Sequence, residues 1–468
     1  MNNNNNKNII LEDYESEFLF KKNKSNLNIN FNRIAFIFFV FLIISIIYSI
    51  QLLHLGSLKK NFKETKTLIN KKDYRADIID RNGNYLVKTV SSIDIGINPI
   101  EVIDQKKLLI NLQLIFPDKN FIEIKKKLKK KKFFYFEKKI SAEKYEKIML
   151  LGDKSIKPEE KLTRIYPQKN LFSHIIGQID DNNKGISGIE KSFDKKLKSI
   201  KEPLKLTVDT DIQFLIREEL KKFLSIFQSK GGAVVLMNVN NGEVISMVSY
   251  PDFDLNERAK IENLDYINRV TKGVYELGSV FKTFTVAAGL NEGLIEPETE
   301  FLNLEKKLDC GKNKITEYDN NLPSNLTVEE ILIKSGNIGS VRIGQMLEIK
   351  GLKSFLENIG VLKRIDFDIE EVGEPIPFRW GKCKLATVSF GHGITTTPLQ
   401  VAKGYAIISN GGLEIQPTLI KKKSKDNKKR IIKKDVSKEM NLILRKIVVE
   451  GTAKLANVNG YEVGGKTG

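Results

Sequence analysis

Between Ile34 and Leu53 the chain reads IAFIFFVFLIISIIYSIQLL, without a single charge. About twenty residues at ~1.5 Å each make a helix as long as the ~30 Å hydrocarbon core of a bilayer. The core helix of a soluble protein seldom stays apolar on every face. A cleaved signal has a shorter apolar region, about 7–15 residues, and a small-residue cleavage site after it. Here HLGSLKKNF follows, which is no such site. The run therefore reads as a retained transmembrane anchor over 34–54. A low-complexity tail, 1–33, precedes it, opens MNNNNNKN and is expected to be disordered. Basic residues flank both ends (Lys21, Lys22, Lys24 and Arg33; then Lys59, Lys60, Lys63 and Lys66), so the positive-inside rule does not orient the span.

The rest of the 468 residues suffices for two further domains, and a hydrophobic share of 41% is enough for real cores. From 55 to 203 the texture is mixed. YRADIIDRNGNYLVKTV predicts two strands around an Asn82-Gly83 turn, and Lys-rich helical patterns follow near 104–150. From Leu204 onward LKLTVDTDIQFLIREELKKFL predicts a strand, then a helix starting near Asp209 or Thr210. GGAVVLMNVNNGEVISMVSY predicts a hairpin with Asn241-Gly242 as its turn. Helical patterns dominate 280–360 and recur near 396–409, and GYEVGGKTG reads as the start of a strand. A hairpin sheet with a mainly helical insertion makes 204–468 an α+β domain.

Composition narrows the function classes. The net charge is +19, which raises nucleic acid or an anionic surface as a partner. Lys, Asn and Ile enrichment is also what an AT-rich genome produces, and nucleic-acid-binding signatures are absent, so no nucleic acid is expected. Two cysteines, Cys310 and Cys383, allow one bridge at most, and two free thiols are the expectation. His54, His174 and His392 lie far apart, which argues against Ser-His-Asp chemistry and a His-rich metal site.

Three short motifs carry chemistry. In GVYELGSVFKTFTVAAGL, Gly278 interrupts the chain before Ser279, and Lys282 follows about one helical turn later on the same face. A serine hydroxyl needs a base, and a lysine serves if burial or nearby positive charge lowers its pKa. In LIKSGNIGS, Ser335 and Asn337 offer a hydroxyl and a carboxamide two residues apart, able to relay a proton and hold an amide. At the end of the chain, Lys466, Thr467 and Gly468 offer an ammonium and a hydroxyl beside bare backbone, a place for a carboxylate. Each motif alone is weak. The set S-x-x-K, S-x-N, K-T-G in this order is shared by penicillin-binding proteins and class A β-lactamases.

On these motifs the chain resembles a class B penicillin-binding protein, a peptidoglycan D,D-transpeptidase. RADIIDRNG and RIYPQKNLFSHIIGQIDDNNKGISGIEKSFDKKL resemble the family's pedestal, or dimerisation, segments. LTVDTDIQ, NRVTKGVYELGSVFK, FGHGITTTPLQVAKGYAIISNGG and VEGTAKLANVNGYEVGGKTG resemble its transpeptidase domain. The wording of YELGSVFK and SGNIGS is most similar to the cell-division, FtsI-type, member, with the elongation member the alternative. The resemblance implies that Ser279 is the nucleophile, Lys282 the general base, Ser335 and Asn337 the proton-relay and donor-holding pair, and that Lys466, Thr467 and Gly468 bind the substrate. It implies no cofactor and no metal. The expected partners are stem peptides, β-lactams, the inner membrane, and division proteins including a lipid-linked wall polymerase. The family's domain continues beyond K-T-G, and one of its oxyanion donors would fall at position 469, so the 468 residues are expected to be a fragment, inactive alone. A β-lactam sensor or an inert division scaffold is the rival reading; a β-lactamase would lack the long pedestal.

Overall fold

The computed structural model describes residues 24–57, 74–257, 264–311, 313–421 and 428–468. They fall into two compact units, residues 1–70 and 71–468. Among the described residues the first contains one helix, α1 (Lys24–Ser57), and within it Arg33–His54 is long and apolar enough to cross a membrane. Its apolar side chains from Ile34 to Leu53 are exposed around the whole circumference, as lipid-facing residues are and core residues are not. The helix starts ten residues inside the expected tail, because helix growth is cheap once nucleated. MNNNNNKN lies outside the described residues.

The second unit opens with a sheet built on one long strand. β1 (Ile78–Ile79) turns at Asn82-Gly83 into β2 (Tyr85–Ile97), as the sequence predicts. Asp80 holds that turn by accepting from the backbone of Asn82 and Asn84 and from Thr210. Helices α2 (Gln105–Ile115) and α3 (Phe121–Lys129) follow, capped by the side chains of Asp104 and Asn120. After them come β3 (Phe134–Ile140), α4 (Ala142–Met149) and β4 (Ile156–Ile165). β2 pairs antiparallel with β1, β3 and β4, and β5 (Leu204–Lys205) adds in parallel to β1. Leu108, Leu112, Ile124, Leu128 and Phe136 close a separate small core over β2.

The chain then forms α5 (Thr210–Ile226), capped by Asp209 as expected, and the hairpin β6 (Gly232–Met237) and β7 (Val244–Tyr250) across Asn241-Gly242. A largely helical body follows: α6 (Phe281–Glu292), a second hairpin of β8 (Lys307–Cys310) and β9 (Asn313–Thr316), α7 (Val328–Ile333) and α8 (Asn337–Asn358), which kinks at Glu348. It ends with α9 (Lys382–Val388), α10 (Pro398–Ser409) and α11 (Lys434–Val449). Capping boxes start α7 at Thr327/Glu330 and α10 at Thr397/Gln400. Phe281, Phe284, Ile331, Ile338, Ile343, Met440 and Leu444 belong to one core, so α6, α7, α8 and α11 share it.

The expected boundary near 203 does not separate two cores. Ile78, Val87, Ile189 and Leu206 share a buried cluster with Val244, Met247, Leu399 and Leu419. A buried ionic cluster stiffens the earlier segment: Glu190 accepts from Arg75 Nε at 2.5 Å and Arg164 Nε at 2.8 Å, and Arg75 also reaches Asp194 at 2.6 Å.

Candidate active site

Ser279 lies in a single 3-10 turn, Gly278–Val280, that leads directly into α6. Gly278 turns with φ +60. Lys282 comes one turn later and is 1% exposed. Its Nζ donates to the backbone oxygen of Ser335 at 2.5 Å and to Ser335 Oγ at 3.1 Å. Burial, and then the like charge of Lys466, push Lys282 down to about 7 against the pull of Glu317. At that value a large share of the amine is neutral near pH 7 and able to take a proton.

Two residues past the end of α7, Ser335 sits in the left-handed region, φ +58, an unfavourable place for a non-glycine residue. The next residue but one, Asn337, starts α8. This tight turn brings the Ser335 hydroxyl between two lysines, because Lys466 Nζ donates to the same Oγ at 2.9 Å. A hydroxyl accepting twice keeps its own proton for donation, which suits a relay. Lys466 also donates to the backbone oxygen of Thr467 at 3.0 Å, and burial pushes it down to about 8.

The C-terminal segment is seated by α11. Gly465 N–H donates to Leu444 O at 3.0 Å and Arg445 Nη1 to Val463 O at 2.8 Å. No strand forms over GYEVGGKTG, contrary to the expectation: its bonds go to a helix, not to a ladder partner among the described residues. Thr467 shares a 2.9 Å bond with Thr452, and a Cβ placed on Gly468 would stand 3.1 Å from the oxygen of Leu277. The third motif therefore flanks the first. Residues of all three motifs, Ser279, Lys282, Ser335, Asn337, Thr467 and Gly468, line one cleft of about 910 Å³, and Lys466 reaches it through its bond to Ser335.

The chain matches the family model "Penicillin binding protein transpeptidase domain" over 232–468 and "Penicillin-binding Protein dimerisation domain" over 71–223. It belongs to the class B penicillin-binding proteins. It is 30% identical over 405 residues to "Probable peptidoglycan D,D-transpeptidase FtsI" of Caulobacter vibrioides, covering 84% of this chain and 68% of that protein. It is 28% identical over 443 residues to "Stage V sporulation protein D" of Bacillus subtilis, covering 84% and 68%. It is 26% identical over 434 residues to "Peptidoglycan D,D-transpeptidase FtsI" of Escherichia coli, covering 84% and 72%.

In this class B penicillin-binding protein the structure adds residues that the motifs did not announce. Glu317 accepts from the backbone N–H groups of Asn337 and Ile338. Gly391, φ +89, packs so closely that a Cβ there would stand 1.9 Å from the oxygen of Gly278. Glu276 accepts from Gly393 N–H and pairs with His392 at the rim. The thiol expectation is overturned: Cys310 and Cys383 form a disulfide, with Cα atoms 5.3 Å apart across 73 residues of sequence. Only the fold, joining the end of β8 to α9, brings them together. Among the described residues no group of three or more His, Cys, Asp or Glu is placed to hold a metal ion.

Proposed function

We propose that this penicillin-binding protein is a serine-type D,D-transpeptidase of septal wall synthesis. What supports it most is one observation: a lysine 1% exposed, one turn from Ser279, with its ammonium aimed at Ser335 and its pKa pushed down to about 7.

In this reading Ser279 Oγ attacks the carbonyl carbon of the penultimate D-Ala of a donor stem peptide, and its proton passes to neutral Lys282. The C–N bond to the terminal D-Ala breaks. That amine leaves with a proton delivered through Lys282 and Ser335, and an ester on Ser279 remains. Lys466 and Thr467 hold the terminal carboxylate, Asn337 holds the donor peptide, and Gly468 leaves room beside the reacting carbonyl. An acceptor amine from a neighbouring stem then attacks the ester, restores Ser279 and leaves a cross-link. A β-lactam enters by the same first step, opening its ring. In this reading the N-terminus is cytoplasmic and the catalytic domain periplasmic, where peptidoglycan is. Division proteins, including a lipid-linked wall polymerase, are its proposed partners.

The test is fluorescent-penicillin labelling of the full-length protein with and without Ser279→Ala. The labelled band is expected to vanish in the variant; a band independent of Ser279 would defeat the reading. Depletion separates the two cellular roles, with filaments expected for division and rounded cells for elongation.

A further inference from the structure

The S-x-N turn is held from outside by the second hairpin. β8 and β9 pair in register from Asn313↔Cys310 to Thr316↔Lys307, and the chain leaves β9 directly beside the start of α8. There Glu317 accepts from Asn337 N–H at 2.5 Å and from Ile338 N–H at 2.8 Å, while Thr316 O accepts from Asn337 Nδ2 at 2.8 Å. The cap position of α8 is Gly336, which has no side chain to cap with. Glu317 supplies the missing cap from another element, with the charge that suits a helix N-terminus.

The hairpin is itself pinned at its other end. Cys310, the last residue of β8, is bonded to Cys383 in α9. A few residues on, Gly391 packs against Gly278, the residue before Ser279. One continuous path therefore runs from the nucleophile's turn, through α9 and the disulfide, to the residues that hold Asn337.

Charge gives Glu317 a second role. Lys282 feels Lys466 as a like charge and Glu317 as the opposing one. Besides Lys282, the titratable groups lining the cleft are Lys334, Asp319, Glu276, Tyr318 and His392.

We propose that Glu317 is a positioning residue of the acyl-transfer site: its carboxylate, carried on the disulfide-pinned hairpin, fixes Asn337 and balances the charge facing Lys282. This rests on the transpeptidase reading above.

The experiment compares full-length wild type, Ser279→Ala, Glu317→Gln and Glu317→Asp by the rate of fluorescent-penicillin acylation between pH 5 and 10. An amide caps two N–H groups less strongly than a carboxylate, so Glu317→Gln is expected to acylate about tenfold more slowly near the optimum. Without the opposing charge Lys282 releases its proton more readily, so the acid limb of the profile moves to lower pH. Glu317→Asp keeps the charge, so it keeps the limb and recovers part of the rate. A Glu317→Gln profile matching wild type overturns the proposal. So does a slower rate with an unmoved limb that Glu317→Asp does not improve, since that is loss of structure alone. Wild type without Ser279-dependent labelling instead defeats the transpeptidase reading, and the inference with it.

Discussion

Lys282 and Lys466 donate to one and the same oxygen, standing 3.1 and 2.9 Å from Ser335 Oγ. Two full ammonium charges this close and this buried are unfavourable, and the chain relieves them unequally. Lys282 is pushed down to about 7, with burial and then Lys466 responsible, and Lys466 to about 8 by burial. Between these values the favoured state has Lys282 neutral and Lys466 charged. On the proposed mechanism one lysine is then the base and the other the carboxylate clamp.

The first prediction is a bell-shaped pH profile. On the proposed mechanism, below about 7 a protonated Lys282 cannot accept the Ser279 proton, and above about 8 Lys466 loses the charge assigned to holding a carboxylate. The second-order rate of β-lactam acylation should therefore rise through the lower value and fall through the higher one. Lys466→Gln should abolish the alkaline limb. It should also move the acid limb to higher pH, because the like charge that helps depress Lys282 is gone. Stopped-flow acylation over pH 5–10 checks both, and a flat profile would count against the pair.

The second prediction concerns Gly391. A Cβ there would lie 1.9 Å from the carbonyl oxygen of Gly278, and its φ of +89 is one that side-chain-bearing residues rarely adopt. Gly391→Ala must move backbone against backbone, with no flexible side chain to give way. A loss of about 2–3 kcal/mol is expected. Because the struck atom belongs to the residue before Ser279, acylation should slow even where the protein stays folded. Thermal midpoint and acylation rate together test this.

The third prediction concerns the disulfide. Cys310–Cys383 closes 73 residues of sequence, and the loop-entropy relation gives about 4 kcal/mol for a loop of that length. Reductant, or Cys310→Ser with Cys383→Ser, should lower the thermal midpoint. An unchanged midpoint in reductant would show that the bond carries no stability.

Much of this was legible because it is local. Asn82-Gly83, Asn241-Gly242 and the Asp209 cap are written within a few residues, and each forms as the sequence predicts. The motif lysines and serines were legible by type and order; the fold brings Ser279, Lys282 and Ser335 to one cleft and bonds Lys466 to Ser335. Glu317, Gly391 and the cysteine pairing were not legible. Glu317 acts on residues 20 and 21 positions away, and the cysteines meet across 73. Such contacts leave no periodicity to read. The strand expected over GYEVGGKTG failed for a related reason: strand propensity does not supply a partner, and Val463 and Gly465 bond instead to α11.

The fourth prediction separates stability from the site. Glu190, wholly buried, accepts from Arg75 and Arg164, and Arg164 Nη2 already lacks a partner among the described residues. Arg75 keeps the charge of Asp194 if Glu190 is neutralised, but the other partners of Arg164, the Arg75 carbonyl and the Thr89 hydroxyl, are uncharged. Removing one partner of a buried ionic cluster costs about 3–5 kcal/mol, most of it the uncompensated charge. Glu190→Gln should therefore lower the thermal midpoint sharply. Adding Arg164→Met, which takes away the stranded charge, should restore part of it. None of these residues lines the catalytic cleft. The acylation rate of the folded fraction should thus stay near wild type in both variants. A rate that falls with the midpoint would show instead that the ionic cluster helps to hold the cleft in its working geometry.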